Sequence, residues 1–238
     1  ISINPNIIIM RKIYTLAIFL LSSSLIFGQV YLDEDFSGGN MPPAGWTLDG
    51  QEAQWSNSAT NKAGGIAPEA LLSWKQIVDV TRLISPAVDL TGSSNVKIKF
   101  SHFLDNYGGG QYSIGVAVRS GGGAWETLWE VSPSGDIGPE NNYVDVPASY
   151  DGATDFEFCF VFDGNMYNFD FWHIDNIAVE TPMALDLALT SIDIPSYVAL
   201  DDAFDVTGVV TNQGLDEITS YDVSYTIDVL VGSVNYTY

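Results

Sequence analysis

Two acidic residues are candidates for metal chemistry because they lie inside segments that otherwise have the character of β-strands. Asp175 is in the middle of "FWHIDNIAVE", a run of aromatic and β-branched residues without Gly or Pro, and Glu34 is in "VYLDEDF". Side chains alternate between the two faces of a strand, so Asp175 is expected to share a face with Phe171, Ile177 and Val179. By the same count, Glu34 shares a face with Leu32.

A carboxylate on the buried face of a strand is costly unless it is paired with a base or bound to a metal ion. Bases are scarce, because the chain has 8 Lys and Arg against 30 Asp and Glu and a formal net charge of −22. Ca²⁺ is a suitable partner, since it is a hard cation that takes carboxylate and backbone carbonyl oxygens. A structural Ca²⁺ at Glu34 and Asp175 is therefore one interpretation of the residues, and the other is that both side chains reach water at strand ends.

Catalytic patterns are missing from the sequence. It contains no HExxH, GxSxG or phosphate-loop motif and no Cys/His metal cluster. The two histidines, His102 and His173, lie in strand-like segments and are predicted to be structural. The single cysteine, Cys159, lies in the aromatic segment "DFEFCFVFD" and is predicted to be a buried, inert thiol. Among 30 acidic residues a carboxylate pair of the glycosidase type stays open, but no particular pair is indicated. We therefore expect no enzymatic activity and no catalytic residue.

The charge balance restricts the partners of the chain. A net charge of −22 repels phosphate backbones and anionic membrane surfaces, so no nucleic-acid partner is expected. Hydrophobic residues make up 46% of the chain and aromatic residues 13%, which is enough for a folded core. The acidity therefore belongs to the surface of a folded protein.

Residues 1–28 are predicted to contain upstream residues and a secretory signal peptide. Arg11 and Lys12 precede the apolar run "IYTLAIFLLSSSLIF", and the small residue Gly28 closes it, so cleavage is expected before Gln29. The run is too short and too rich in serine for a membrane span. The mature chain is therefore expected to be secreted, extracellular or at the cell surface, without direct membrane insertion.

Residues 29–182 are predicted to form an all-β, jelly-roll β-sandwich. Short alternating segments such as "NVKIKFSHFL" and "QYSIGVAVR" are separated by clusters of Gly, Pro, Asn and Asp, as is typical of a two-sheet sandwich. The four phenylalanines of "DFEFCFVFD" are expected on one buried face. The best helix candidate is the short segment "APEALLSW".

Residues 183–238 are predicted to be the N-terminal part of a truncated immunoglobulin-like β-sandwich. Pro182 is the expected linker, and "DAFDVTGVVTNQG" and "EITSYDVSYTIDVLVG" are typical of the opening strands of such a domain. About 55 residues follow the linker, whereas an Ig-like domain needs about 100. The sequence thus predicts a fragment, with neighbouring domains of the full-length protein as further partners.

An ordered series of motifs covers residues 33–180. It consists of "EDFSGGNMPPAGWTLDG", then Trp55, "LISPAVDLTG", "IKFSHF" and "WHIDNI". This series resembles the cleaved-adhesin, or choice-of-anchor J, family of bacterial secreted surface proteins, which is itself similar to MAM domains. Its most specific parts are the opening F-x(n)-P-x-G-W and the closing W-x-I-D-[DN]-I.

The resemblance implies a jelly-roll sandwich with a structural Ca²⁺ between the N-terminal acidic residue and the Asp of the closing motif, which are Glu34 and Asp175 here. Many members also have an Asp/Gly-rich loop after the opening Trp. In this chain that loop is "TLDGQEAQW", with Asp49 and Glu52 but without D-x-D-G, so the pattern does not support a second Ca²⁺. The trailing segment resembles the Ig-like (CARDB-like) repeats often found beside such domains.

These observations predict a non-catalytic extracellular adhesion or binding module of a secreted, cell-surface bacterial protein, with a protein or glycan ligand. The alternative is a carbohydrate-binding accessory module of a secreted hydrolase or peptidase whose catalytic part lies outside this fragment, since a jelly roll suits both. Exposed, coplanar rings beside a groove would favour sugar. The candidates are Trp125, Trp129, Tyr107 and Tyr112, for which packing in the core is the competing explanation.

Overall fold

The regular secondary structure of the described part of the chain is almost entirely β-strand. A computed structural model describes residues 28–108, 110–193, 207–227 and 230–237, so the predicted signal peptide lies outside the described residues apart from Gly28. The helical content of these ranges is three short 3₁₀ turns, Glu52–Gln54, Ala148–Tyr150 and Met166–Asn168. No helix among the described residues is long and apolar enough to cross a membrane.

Eleven strands lie between residues 28 and 182 of the described chain. They are β1 (Gln29–Glu34), β2 (Thr47–Asp49), β3 (Trp55–Ser58), β4 (Glu69–Ser73), β5 (Val78–Ile84), β6 (Lys97–Asp105), β7 (Tyr112–Ser120), β8 (Glu126–Val131), β9 (Ile137–Asp145), β10 (Phe156–Asn165) and β11 (Phe171–Thr181).

These strands form two sheets. Sheet A has the order β3-β4-β11-β6-β9, with β1 also paired to β11, and sheet B has the order β2-β5-β10-β7-β8. The chain passes repeatedly from one sheet to the other, as from β4 to β5, from β6 to β7 and from β10 to β11. The all-β class and the predicted jelly-roll β-sandwich are therefore confirmed.

The core lies between the sheets and is rich in aromatic rings. Phe156, Phe158, Phe160 and Phe162 of β10 are fully buried, as the alternation in the sequence predicts. Trp172 of sheet A packs edge-on against Phe160 of sheet B, with ring centroids 6.1 Å apart. Aromatic contacts of this kind therefore join the two layers.

Cys159 lies on the opposite face of β10, in a small second cluster with Ile84 and Ala117. The thiol is buried, and burial raises its pKa to about 12. It therefore stays protonated near neutral pH, which agrees with the prediction of an inert packing residue.

His102 lies in the core, on the side of β6 that faces sheet B. The Trp172 indole N–H donates to His102 Nδ1 at 3.3 Å, and His102 Nε2 lies 3.2 Å from Glu140 Oε1 and 2.7 Å from the Asn142 side-chain amide. A neutral ring with its proton on Nε2 satisfies the contacts to Trp172 and Glu140, and burial lowers the pKa of His102. This histidine is structural, as predicted.

Two sequence interpretations are corrected by the strands. The helix expected in "APEALLSW" is wrong, because β4 runs through it with Ala70 and Leu72 alternating into the core. Strand β9 was not anticipated, because "IGPENNYVD" contains Pro139 and a run of polar residues that are typical of a loop. It lies at the edge of sheet A, where a proline and polar side chains are tolerated.

The segment after Pro182 contributes two separate antiparallel pairs. Strands β12 (Leu187–Asp193) and β13 (Thr207–Asn212) form one, and β14 (Ser220–Ile227) and β15 (Leu230–Thr237) form the other. The segment is thus β-structured, and its assignment to an Ig-like domain stays a prediction.

Candidate cation site

Asp175 lies where β11 changes its neighbour within sheet A. The first part of β11 pairs with β4 and the last part pairs with β1, while β6 follows the opposite side. Strand β1 ends at Glu34 and β4 begins at Glu69, so Asp175 and Asn176 lie between two strand ends. The negative charges of Glu69, Asp35 and Glu34 all act on Asp175. The fold therefore brings the two predicted residues into one acidic region, together with Glu69, which the sequence reasoning missed.

A β-bulge at Asn176 places Asp175 and Ile177 on opposite faces of sheet A. The pairing with β6 shifts its register after Asp175, and Asn176 has a left-handed φ of 51°. Ile174 faces the core before the bulge, and Ile177 and Val179 face it afterwards. The expectation that Asp175 shares a face with Ile177 and Val179 is therefore wrong, because Asp175 lies on the outer face of sheet A.

Asp175 is nevertheless fully buried, with 0% of its surface exposed. The loop of residues 59–68, which joins β3 to β4, covers this part of the outer face. A Cβ atom built on Gly65 would lie 1.7 Å from Asp175 Oδ2, so the loop backbone rests directly on the carboxylate. A glycine is required there because any side chain would occupy the position of the carboxylate oxygen.

The Asp175 carboxylate is only half satisfied by the protein. Its Oδ1 accepts the Asn176 backbone N–H at 2.8 Å, while its Oδ2 is buried without a hydrogen-bond partner. Burial raises the pKa of Asp175 to about 6, and the charges of Glu69, Asp35 and Glu34 add to the shift. A buried, partnerless carboxylate oxygen is costly, so it marks a place where a positive charge would be stabilised.

Glu34 is half-buried at the end of β1, opposite the core residue Ile177. Its register therefore agrees with the sequence prediction for β1, while its place as the last residue of the strand puts it at the gap between β1 and β4, beside Asp175 in the sheet. Its Oε1 accepts the Phe36 backbone N–H at 2.7 Å, and burial raises its pKa despite that hydrogen bond. A cavity of about 330 Å³ lies beside Glu34 and is lined by the loop that follows β1.

Glu69 is fully buried but well satisfied. Its Oε1 accepts the Lys62 backbone N–H at 2.9 Å and the Thr60 hydroxyl at 2.5 Å, and its Oε2 accepts the Ala63 N–H at 2.8 Å. Glu69 therefore fixes the loop of residues 59–68 over Asp175. The only sequence signal for this role is a glutamate at the first position of a strand that directly follows a Gly-containing loop.

His173 lies beside this loop on the outer face of β11. Its Nδ1 is 2.8 Å from Glu69 Oε1, but the ring N–H is not aligned for a hydrogen bond. Burial lowers the pKa of His173, and the nearby Glu69 charge only partly offsets that effect. The ring packs at 6.2 Å from Phe103 and 6.1 Å from Phe171, which supports the predicted structural role.

Asp175 and Glu34 offer carboxylate oxygens, which are the donors that a hard cation prefers. The backbone of the Gly65 loop lies against Asp175 on the outer side. No group of three His, Cys, Asp or Glu side chains in the described ranges is arranged to hold a metal on its own. Any cation here would need backbone carbonyls or water for the rest of its shell, as is common for Ca²⁺ but not for structural Zn²⁺.

The second acidic loop, with Asp49 and Glu52, is arranged differently. Asp49 forms an ion pair with Arg82 at 2.7 Å, and Glu52 lies in a 3₁₀ turn. Asp49 thus already has a cationic partner within the protein.

The four aromatic candidates for sugar stacking do not form one surface. Tyr112 is buried, Trp129 packs partly against the core, and Trp125 lies 4.2 Å from the Arg119 guanidinium. Tyr107 is 62% exposed, but it meets Tyr167 edge-on rather than in a coplanar arrangement.

The fold and this site define an all-β sandwich with a buried acidic junction in one sheet. No family model matches the chain, and no curated protein matches it. Among solved structures, it is similar to the K3 cleaved adhesin domain of Lys-gingipain from Porphyromonas gingivalis W83, with 17% identity, 65% of this chain and 99% of that chain covered, and a TM-score of 0.45.

Carbohydrate-binding modules are found with similar scores. TmCBM61 in complex with β-1,4-galactotriose has 18% identity, covers 63% of this chain and 97% of its own, and has a TM-score of 0.44. CBM27-1 of Caldicellulosiruptor saccharolyticus in complex with mannohexaose has 14% identity, coverage of 66% and 97%, and a TM-score of 0.45. These are similarities of overall shape, and the ligands belong to those proteins.

Proposed function

We propose that residues 29–182 form a non-catalytic extracellular binding or adhesion module of a secreted bacterial surface protein, stabilised by one Ca²⁺ at Asp175 and Glu34. The observation that carries the proposal is the buried Asp175 Oδ2, which has no hydrogen-bond partner. When bound, the ion supplies charge compensation for carboxylates, not catalysis. Asp175 and Glu34 hold it, and Glu69 keeps the covering loop in place.

The chemistry of the other reactive side chains supports a non-catalytic role. Cys159 is held protonated by burial. His102 is enclosed by Trp172 and Glu140, and His173 is packed between rings under the loop. The single cysteine and both histidines are therefore committed to packing.

The ion has a structural purpose at this point of the fold. Strand β1 carries the N-terminal end of the domain, and β4 follows the covering loop. An ion that binds Asp175 and Glu34 ties β1 to β11 where β4 no longer pairs with it. A sandwich with a single cysteine gains from such a cross-link, because it forms no internal disulfide.

The experiment applies the chain of residues 29–238 to an array of immobilised glycans and extracellular-matrix proteins. A thermal melt of the same protein is recorded in Ca²⁺ and in EDTA. We expect saturable binding without turnover, and a lower melting temperature in EDTA. Asp163→Asn, at an exposed carboxylate of β10, is the matched control and should behave as wild type. Turnover of an array ligand, or an identical melting temperature in Ca²⁺ and EDTA, would contradict the proposal.

A further inference from the structure

A groove crosses the outer face of sheet A next to the candidate cation site. Its volume is about 510 Å³, within the range of roughly 300–1,000 Å³ that is usual for small-molecule sites. Four strands line it, namely β1, β11, β6 and β9. It shares Asn176 with the bulge beside Asp175, but it is a separate depression.

The register of the strands explains why the outer face of sheet A has a depression there. Ala178 of β11 lies between Asp33 of β1 and Lys99 of β6, and Lys99 in turn lies opposite Tyr143 of β9. Ser101 follows in the adjacent row of β6. The small side chains Ala178 and Ser101 thus occupy central strands, while larger side chains stand beside them.

A chain of hydrogen bonds fixes one side of the groove. The Asn176 side-chain N–H donates to Ser101 Oγ at 3.2 Å, and the Ser101 hydroxyl donates to Asn141 Oδ1 at 2.7 Å. The Asn141 amide nitrogen has no acceptor among the described residues and lines the groove at an exposed position. Two amides on separate strands are therefore pre-oriented toward the same space.

Lys99 is a cation without a carboxylate partner in the described chain. Its neighbour Lys97 forms an ion pair with Asp145 at 2.9 Å, whereas Lys99 Nζ lies 5.7 Å from the centroid of the Tyr143 ring. With 30 acidic and 8 basic residues in the chain, a lysine that is not paired is available to a ligand.

The lining matches a hydroxyl-rich ligand better than a peptide. Val30 and Ala178 are the aliphatic residues of the lining and Tyr143 the one aromatic residue, so the groove lacks the continuous apolar centre of a protein interface. Amides, an ammonium group and the carboxylates of Asp33 and Glu180 supply donors and acceptors for sugar hydroxyls, and Tyr143 supplies a ring. The two carboxylates also disfavour an anionic ligand.

We propose that this groove binds a neutral oligosaccharide, with Asn141, Asn176 and Lys99 bonded to hydroxyls and the Tyr143 ring against a pyranose face. The inference rests on the proposed function, since it names the ligand class of that binding module. Asn176 links the two sites, because its backbone N–H donates to Asp175 and its side chain donates to Ser101.

The test measures binding of three named probes, β-1,4-mannohexaose, cellohexaose and β-1,4-galactotriose, to the chain of residues 29–238 by isothermal titration calorimetry in Ca²⁺. At least one probe should bind, and Asn141→Ala and Tyr143→Ala should each weaken it by about tenfold or more, which is about 1.4 kcal/mol. Ala178→Phe should place a bulky ring on the floor of the groove and abolish binding. Tyr107→Ala, an exposed ring outside the groove, is the matched control and should change nothing.

The melting temperature of each variant separates lost binding from lost folding, and only variants that melt like wild type are interpreted. The proposal is overturned if none of the probes binds at concentrations up to about 10 mM, because a site with a Kd of about 1 mM would be mostly occupied there. Sugar binding that survives Ala178→Phe and Tyr143→Ala also overturns it, while leaving the broader binding function intact. If the groove variants instead abolish binding of a matrix protein and no sugar binds, the sugar assignment is wrong.

Discussion

Asp175→Asn is expected to change stability in opposite directions with and without Ca²⁺. Without the ion, wild type carries a buried carboxylate whose Oδ2 has no partner, and the substitution removes that charge. With the ion, the same substitution removes a charged ligand. A residue that served only packing would instead give the same sign under both conditions.

The pKa gives the size of the effect without Ca²⁺. The pKa of Asp175 rises from 3.8 to about 6, chiefly because of burial. Each pKa unit corresponds to roughly 1.4 kcal/mol, so ionised Asp175 costs the folded state about 3 kcal/mol near neutral pH. Asparagine keeps the Oδ1 acceptor but leaves a buried amide group unpaired, which costs the folded state about 1–2 kcal/mol. The net gain is about 1–2 kcal/mol, or roughly 2–8 °C for a domain of about 150 residues.

With Ca²⁺ at about 100-fold its Kd, binding stabilises wild type by about 3 kcal/mol. Asp175→Asn should lose most of that increment, so its melting temperature in Ca²⁺ falls below that of wild type. The calcium-dependent rise of wild type, very roughly 5–10 °C, should shrink accordingly.

The assay is differential scanning calorimetry of wild type, Asp175→Asn and the control Asp163→Asn, each in Ca²⁺ and in EDTA. The EDTA series is repeated from neutral pH down to about pH 4. A raised pKa means that the favourable contribution of the protonated acid is complete below 3.8 and is lost as the pH rises through about 6. The advantage of Asp175→Asn in EDTA should therefore disappear as the pH is lowered.

Two results would refute this reasoning. One is an Asp175→Asn variant that is less stable than wild type in EDTA at every pH, which would mean that the carboxylate makes a favourable contact that the structure does not contain. The other is a wild-type melting temperature that is the same in Ca²⁺ and EDTA, which would mean that no ion binds.

Gly65, His102 and the signal peptide each give one further prediction. Gly65→Ala should destabilise the chain by roughly 1–3 kcal/mol in thermal melts, because its Cβ would collide with Asp175, whereas Gly38→Ala, with nothing within 4 Å, should be close to neutral. An NMR titration should find the pKa of His102 below 6.5, and its contribution to stability, present above that value, should be lost as the pH falls through the folded-state pKa. Mass spectrometry of the exported protein should find Gln29 as the first residue, and a mature chain that begins upstream of it would contradict the predicted cleavage.

The regular parts of the sandwich were predictable from the sequence. Alternation in β6, β7 and β10 is clean, because each of these strands is buried on one face over most of its length, and the four phenylalanines of β10 all face the core. Strand β9 was not predictable by the same rule. It lies at an edge, so one side of its backbone needs no partner and its composition is free to resemble a loop.

Asp175 shows how the two-residue period of a strand can fail at a single position. The two-residue period holds only while the pairing register holds, and the bulge at Asn176 shifts it by one position. The sequence gives little warning, since asparagine is one of several residues that accept a left-handed φ. The carboxylate is therefore buried by a loop and not by the sandwich core, and the residues that bury it, Gly65 and Glu69, lie about 100 residues earlier in the chain. Such a contact depends on where β4 begins and β1 ends along β11, which is a property of the assembled sheet. The groove has the same origin, because Ala178 and Ser101 are unremarkable in their own strands and form a floor only when β11 and β6 are paired in this register.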